Sequence, residues 1–136
     1  MLLPLPTDYA RDESLRCHMA LVGCGTREGG RDALNEMTRV TYLSFFLWQA
    51  GYGHADAATF SDAEAVLDAA VIRALDTHVW RLDEKEAAVI ETILRIHDAL
   101  LDVVPTHVYV AAQSRLATLL DRTQTISPIR REANTL

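Results

Sequence analysis

Residues 31–49 read RDALNEMTRVTYLSFFLWQ, and the second half of this stretch leaves no side of a helix polar. At about 100° per residue, Leu34, Met37, Phe45 and Trp48 fall on one side, Val40, Leu43 and Leu47 on a second, and Tyr42, Phe46 and Ala50 on a third. A helix that is apolar all round is either the centre of a packed domain or a membrane span. The run Val40 to Trp48 is far shorter than the ~20 apolar residues a span requires. The stretch 31–50 is therefore expected to be a central hydrophobic helix covered by its neighbours.

The flanking sequence supplies those neighbours. Thr7 or Asp8 can cap a helix running to about Val22, with Leu15, Met19 and Val22 on one side of His18 and Ala10, Cys17 and Leu21 on the other. Gly51 is placed to stop the central helix. A third helix spans roughly Ala57 to Asp76, with an apolar stripe of Phe60, Ala63, Leu67, Ala70, Val71, Ala74 and Leu75, and a capping-box pair at Ser61 and Glu64 that predicts a break there. Asp83 and Glu86 form a second capping box ahead of the clearest periodicity in the chain. There Ile90, Ile93, Leu94, Leu100, Leu101 and Val104 share a side with His97, and Glu91, Arg95, Asp98 and Asp102 share the other, up to Pro105. Thr106 can cap a fifth helix to about Asp121, with Val108, Tyr109, Ala112, Leu116, Leu119 and Leu120 inward. From Arg122 the periodicity is lost. The expectation is an all-α, single compact domain of about five helices over residues 1–121, followed by a loosely ordered tail, 122–136, that docks through Ile126 and Ile129.

A chain of 136 residues is long enough to bury about 68% of its unfolded surface in one core. Its 49% hydrophobic and 24% charged content is that of a soluble globular protein rather than a disordered one. A net charge of -6 repels phosphate backbones, which makes nucleic acid an unlikely partner. Two cysteines, Cys17 and Cys24, in a core-rich chain fit a reducing compartment. The start MLLPLPTDYA has neither the basic lead nor the long apolar run of a secretory signal, so the cytoplasm is the expected location.

No complete catalytic motif is present. Three histidines fall on inward positions: His18, His97, and His78 at the end of the third helix. With Glu36, which projects beside Val40, Leu43 and Leu47, the pair His18 and His97 can form a metal or small-ligand site, since bundles build such sites from inward carboxylates and imidazoles. No Glu-x-x-His or His-x-x-x-His spacing supports it, and no cofactor is otherwise expected. The dipeptide His97-Asp98 resembles the histidine–aspartate pair of HD-motif metal-dependent phosphohydrolases. The likeness is two residues long, and on a helix the two side chains project about 100° apart. The glycine loop GCGTREGG, residues 23–30, with Arg27 and Arg31 offers an anion site, although it follows a helix rather than a strand and lacks the nucleotide-binding glycine and lysine pattern. Cys17 reads as a buried, inert thiol, and the exposure of Cys24 is open.

Aromatic excess is the positive clue. Tyr42, Phe45, Phe46, Trp48 and Tyr52 crowd around one helix and its exit. An uncovered aromatic patch at Tyr42, Phe45, Trp48 and Tyr52 would bind a protein partner or a second copy. The expected function is a small, non-enzymatic helical module that regulates or scaffolds through protein contacts and self-associates as a homodimer, with the metal-binding bundle as the alternative.

Overall fold

The computed structural model describes residues 3–26, 30–121 and 127–130. Five helices follow one another: α1 (Thr7–Cys24), α2 (Arg31–Gln49), α3 (Ala57–Thr77), α4 (Glu84–Val103) and α5 (Thr106–Leu120). The fold is all-α, and among the described residues the one β-type pairing is an isolated bridge between Pro4 and Pro105. α2 packs against each of the other four helices, and α4 packs against α1, α2 and α3. Leu34, Met37, Val40, Leu43, Phe45, Phe46 and Leu47 of α2 are all buried. Each such side chain contributes ~1.5–3 kcal/mol on burial, which makes α2 the element the fold can least lose. No helix among the described residues is long and apolar enough to cross a membrane.

α4 forms as its pattern dictates. Asp83 accepts from the Glu86 backbone N–H while the Glu86 side chain accepts from the Asp83 N–H, a reciprocal capping box. Ile90, Ile93, Leu94, His97, Leu100 and Leu101 are buried, and the helix ends where Val104, ahead of Pro105, turns extended (φ -78°, ψ 129°). α5 continues straight through His107 to Val110. Thr106 is its first helical residue rather than its cap, and its N–H and hydroxyl donate to the carbonyls of Leu3 and Pro4 at 2.8 and 3.0 Å, tying the N-terminal lead to the α4–α5 corner. Its inner face is narrower than expected: Tyr109, Ala112 and Leu116 are buried, and Leu120 faces solvent.

At the exit of α2, Gly51 (φ +101°) and Gly53 (φ +72°) both take left-handed conformations that favour glycine. A side chain at position 53 would also stand 2.7 Å from Leu100 Cδ2. α3 is one unbroken helix, because Asp56 caps it by accepting from the Thr59 N–H. Ser61 is thus an interior residue, and Glu64 turns inward to accept from the Tyr42 and Ser127 hydroxyls. Leu75, expected inward, is exposed. His78 ends α3 in the left-handed region (φ 62°) at the surface.

Part of the stretch expected as a loose tail is docked. Ile129 is 1% exposed, and Arg130 pairs with Asp68 beside Glu64. Ile126 lies outside the described residues.

α1 departs furthest from expectation. Its buried residues are Glu13, Cys17 and Cys24, whereas Leu15, Met19 and Val22 are 59%, 65% and 71% exposed. The helix is rotated so that Glu13 meets the core together with the Ala10, Cys17 and Leu21 flank, while the Leu15, Met19 and Val22 flank faces solvent.

Candidate functional site

The inward side of α1 meets α2 and α4 at a polar cluster. Glu13 and Cys17, one turn apart, project from α1, Arg39 and Ser44 from α2, and His97 from α4. Glu13 Oε1 accepts from Arg39 at 2.6 Å and from the Cys17 thiol at 3.6 Å, while Oε2 pairs with Arg16. Arg39 is held in turn by Glu36, with nitrogen–oxygen distances of 2.6 to 3.1 Å to both carboxylate oxygens. On the far side of the imidazole, His97 Nδ1 lies 3.1 Å from the Ser44 hydroxyl. Nε2 points at Glu13 Oε1 from 3.5 Å, beyond normal N–H···O length, and has no hydrogen-bond partner among the described residues.

Glu13, Cys17, Ser44 and His97 are each at most 3% exposed. Burial pushes the Glu13 carboxyl up, but the His97 ring and the Arg39 and Arg16 guanidinium groups outweigh it and hold the group at about 2. Burial, reinforced by the negative Glu13, pushes the Cys17 thiol up to about 12, and burial alone takes Cys24 to about 11. Neither sulfur is an activated nucleophile, and Cys24 is 1% exposed. A groove of about 450 Å³ opens between the N-terminal lead, α1 and α4, lined by Ser14, Asp98 and Asp102 but by none of Glu13, Cys17 or His97. The cluster is sealed from it.

The residues proposed from sequence are distributed otherwise. His18, His97 and Glu36 do not converge. His97 is in the core, but His18 is half-exposed and bonds Asp98 at 2.8 Å, and Glu36 engages Arg39. The His97-Asp98 pair accordingly splits, one side chain to the core and one to the surface, as its helical geometry requires. Glu13 and Arg39 were not singled out, and Cys17 was read only as a buried, inert thiol, which it is. The one available signal was the Glu13–Cys17 spacing of four, and its counterion Arg39 lies 26 residues downstream.

Of the aromatic side chains, Phe45 and Phe46 are buried, and Tyr42, Trp48 and Tyr52 are partly buried. Phe45 is fully buried, edge-to-face with Phe60 at 5.5 Å and tilted against Trp48 at 5.8 Å, so it has no surface to offer a partner. Trp48 lies on Phe60, and Tyr42 bonds Glu64. Tyr52 packs half-buried against the core. Arg31 stacks over Trp80 at 5.5 Å, while Arg27 lies outside the described residues, so the proposed anion pair is not described. What the surface does carry is the stripe Leu15, Met19 and Val22 along the outer side of α1.

No family model, curated protein or solved structure matches the chain.

Proposed function

We propose that the protein is a small, non-enzymatic helical module that works through protein contacts, with a second copy of itself as the first partner and the outer face of α1 as the contact. The observation that carries this reading is the exposure of Leu15, Met19 and Val22, three large apolar side chains at i, i+4 and i+7 of one helix. A run of this kind on a helix otherwise well packed marks an interaction surface. Arg11 and Arg16 flank it together with Asp8 and Asp12, and both signs on one face suit a two-fold contact in which a patch meets its own copy. Three side chains fall well short of the ~800 Å² per partner of a standard interface, so the association is weak and concentration-dependent. A cluster sealed from solvent and two thiols held protonated support the non-enzymatic part of the reading. The free cysteines suit the cytoplasm.

Sedimentation velocity across a wide concentration range tests the proposal. The wild-type protein is expected to shift from monomer toward dimer as concentration rises, and Met19→Glu to remain monomeric with an unchanged fold. A wild-type protein that stays monomeric at the highest concentration, or a Met19→Glu variant that associates as well as wild type, would overturn it.

A further inference from the structure

We propose that Glu13, Cys17 and His97 form a site for one transition-metal ion of the zinc class, which joins α1 to α4. Their donor atoms, a carboxylate oxygen, a sulfur and an imidazole nitrogen, all lie within 4.8 Å of one another. Around a tetrahedral zinc, with bonds of about 2.0–2.3 Å, donors stand roughly 3.3–3.7 Å apart. Two edges of that figure are already in place: Oε1 to Sγ is 3.6 Å and Oε1 to Nε2 is 3.5 Å.

A second observation, independent of the spacing, points to a ligand. Nε2 of His97 is buried, aimed into the cluster, and without a hydrogen-bond partner among the described residues, a condition that costs a buried polar atom ~1–3 kcal/mol. A metal ion would satisfy it. The opposite ring nitrogen faces Ser44 Oγ at 3.1 Å. When Nδ1 carries the proton and donates to that hydroxyl, the Nε2 lone pair is left free for the ion, the arrangement that orients histidine ligands in metal sites. Arg39, locked to Glu36, holds Glu13 through the second lone pair of the same oxygen and can remain there.

The charge also balances. The ion brings two positive charges; Cys17 gives its proton to solvent as the metal–sulfur bond forms, and Arg16, whose side chain is 60% exposed, swings from Glu13 into water. The cluster's net charge is then unchanged. A thiolate and an imidazole select zinc or cobalt over magnesium and calcium, which take oxygen donors. Because the site is closed, the ion enters as the helices assemble, and its binding energy is coupled to folding. This inference is independent of the α1 contact, which lies on the opposite side of the helix.

The test uses the full chain, produced without an affinity tag, unfolded in chelator and refolded with Co²⁺. One cobalt per chain is expected, with a thiolate-to-cobalt charge-transfer band in the near ultraviolet and a rise in the thermal midpoint over protein refolded without metal. Cys17→Ser is expected to abolish the band, Cys24→Ser to keep it, and Ser44→Ala to weaken binding about 10–100-fold through loss of the orienting group. Cobalt well below one per chain, binding without the thiolate band, a band that persists in Cys17→Ser, or one that disappears in Cys24→Ser would each overturn the proposal. Should Cys17→Ser fail to fold, the wild-type and Cys24→Ser spectra decide the matter by themselves.

Discussion

α1 and α4 lie side by side and solve the same problem in opposite ways. α4 buries Ile90, Ile93, Leu94, Leu100 and Leu101 and leaves Glu91 and Arg95 in solvent, paired at 3.0 Å. α1 buries Glu13 with two cysteines and leaves Leu15, Met19 and Val22 exposed. α4 is held by transfer of apolar surface out of water. α1 docks through a buried carboxylate and the cations that reach it from α2 and from its own next turn, with Cys17, Cys24, Ala10 and Leu21 packed beside it. The contrast teaches that a helix can dock through its charged side when a neighbour supplies the counterion, which frees its apolar side for another use.

The largest effects are expected where that counterion is removed. Arg39→Met leaves Glu13 facing the core with the exposed Arg16 as its one remaining guanidinium partner, and breaking a buried pair from one side costs about 3–5 kcal/mol. Replacing both residues, as Glu13→Leu with Arg39→Met, is expected to recover most of that loss, because an apolar pair of similar volume removes the desolvation penalty. Urea denaturation of both variants measures this. On α4 the matching change, Ile93→Ala, has no such rescue: it opens a cavity and costs about 2–5 kcal/mol whatever stands opposite. A double variant no more stable than Arg39→Met would show that α1 and α4 do not differ in the way described.

Acid distinguishes the two helices next. The Glu13 carboxyl is held at about 2 in the folded protein against 4.5 for the free group. Its folded value is the lower one, so the unfolded chain binds the proton first. The stability it contributes is full above about pH 4.5 and is lost as the pH falls toward 2, on the order of 3 kcal/mol in total. Denaturation midpoints followed through this window should fall steeply for the wild type. The Glu13→Leu/Arg39→Met variant should give a flatter limb; equal slopes would remove Glu13 as the cause. A smaller effect belongs to α4 alone. Asp83→Ala removes half of its capping box and should cost about 1 kcal/mol, read as a modest shift in the same midpoint.

The sequence made α4 legible almost residue by residue, because every signal there is local: Asp83 and Glu86 three apart, a stripe at helical spacing, and Pro105 as a stop. α2 was legible for a related reason, since a run apolar on all sides can only be central. α1 was not, because periodicity reports which side is apolar and not which side is buried, and the two part company when a charge finds its partner elsewhere in the chain. Nothing near Glu13 announces Arg39. The same blindness misplaced the candidate site: His97 and Cys17 were both identified as inward, but nothing in the local pattern placed Glu13 between them. Phe45 went wrong in the other direction. Aromatic excess on α2 fits a filled core as well as a surface patch, and Phe60 on α3, paired with Phe45 at 5.5 Å, supplies the cover from within.

The smallest stability effect is expected on the outer face of α1, and it is the one that bears most directly on function. Leu15 is 59% exposed and has little burial to lose. Leu15→Gln should therefore change the unfolding free energy by no more than about 0.5 kcal/mol, an order of magnitude below the effect of a substitution on the inner face of the same helix. If the stripe is a contact surface, this nearly silent change should still reduce self-association. The two readouts separate because stability at low concentration reports the monomer, while the concentration dependence of the midpoint reports the dimer by mass action. A wild-type midpoint that rises with protein concentration, and a Leu15→Gln midpoint that is flat and equal to the dilute wild-type value, would assign the exposed stripe to association rather than to folding. A large loss at every concentration would instead mean that Leu15 supports the fold from its outer side, and that α1 is less inverted than its exposure indicates.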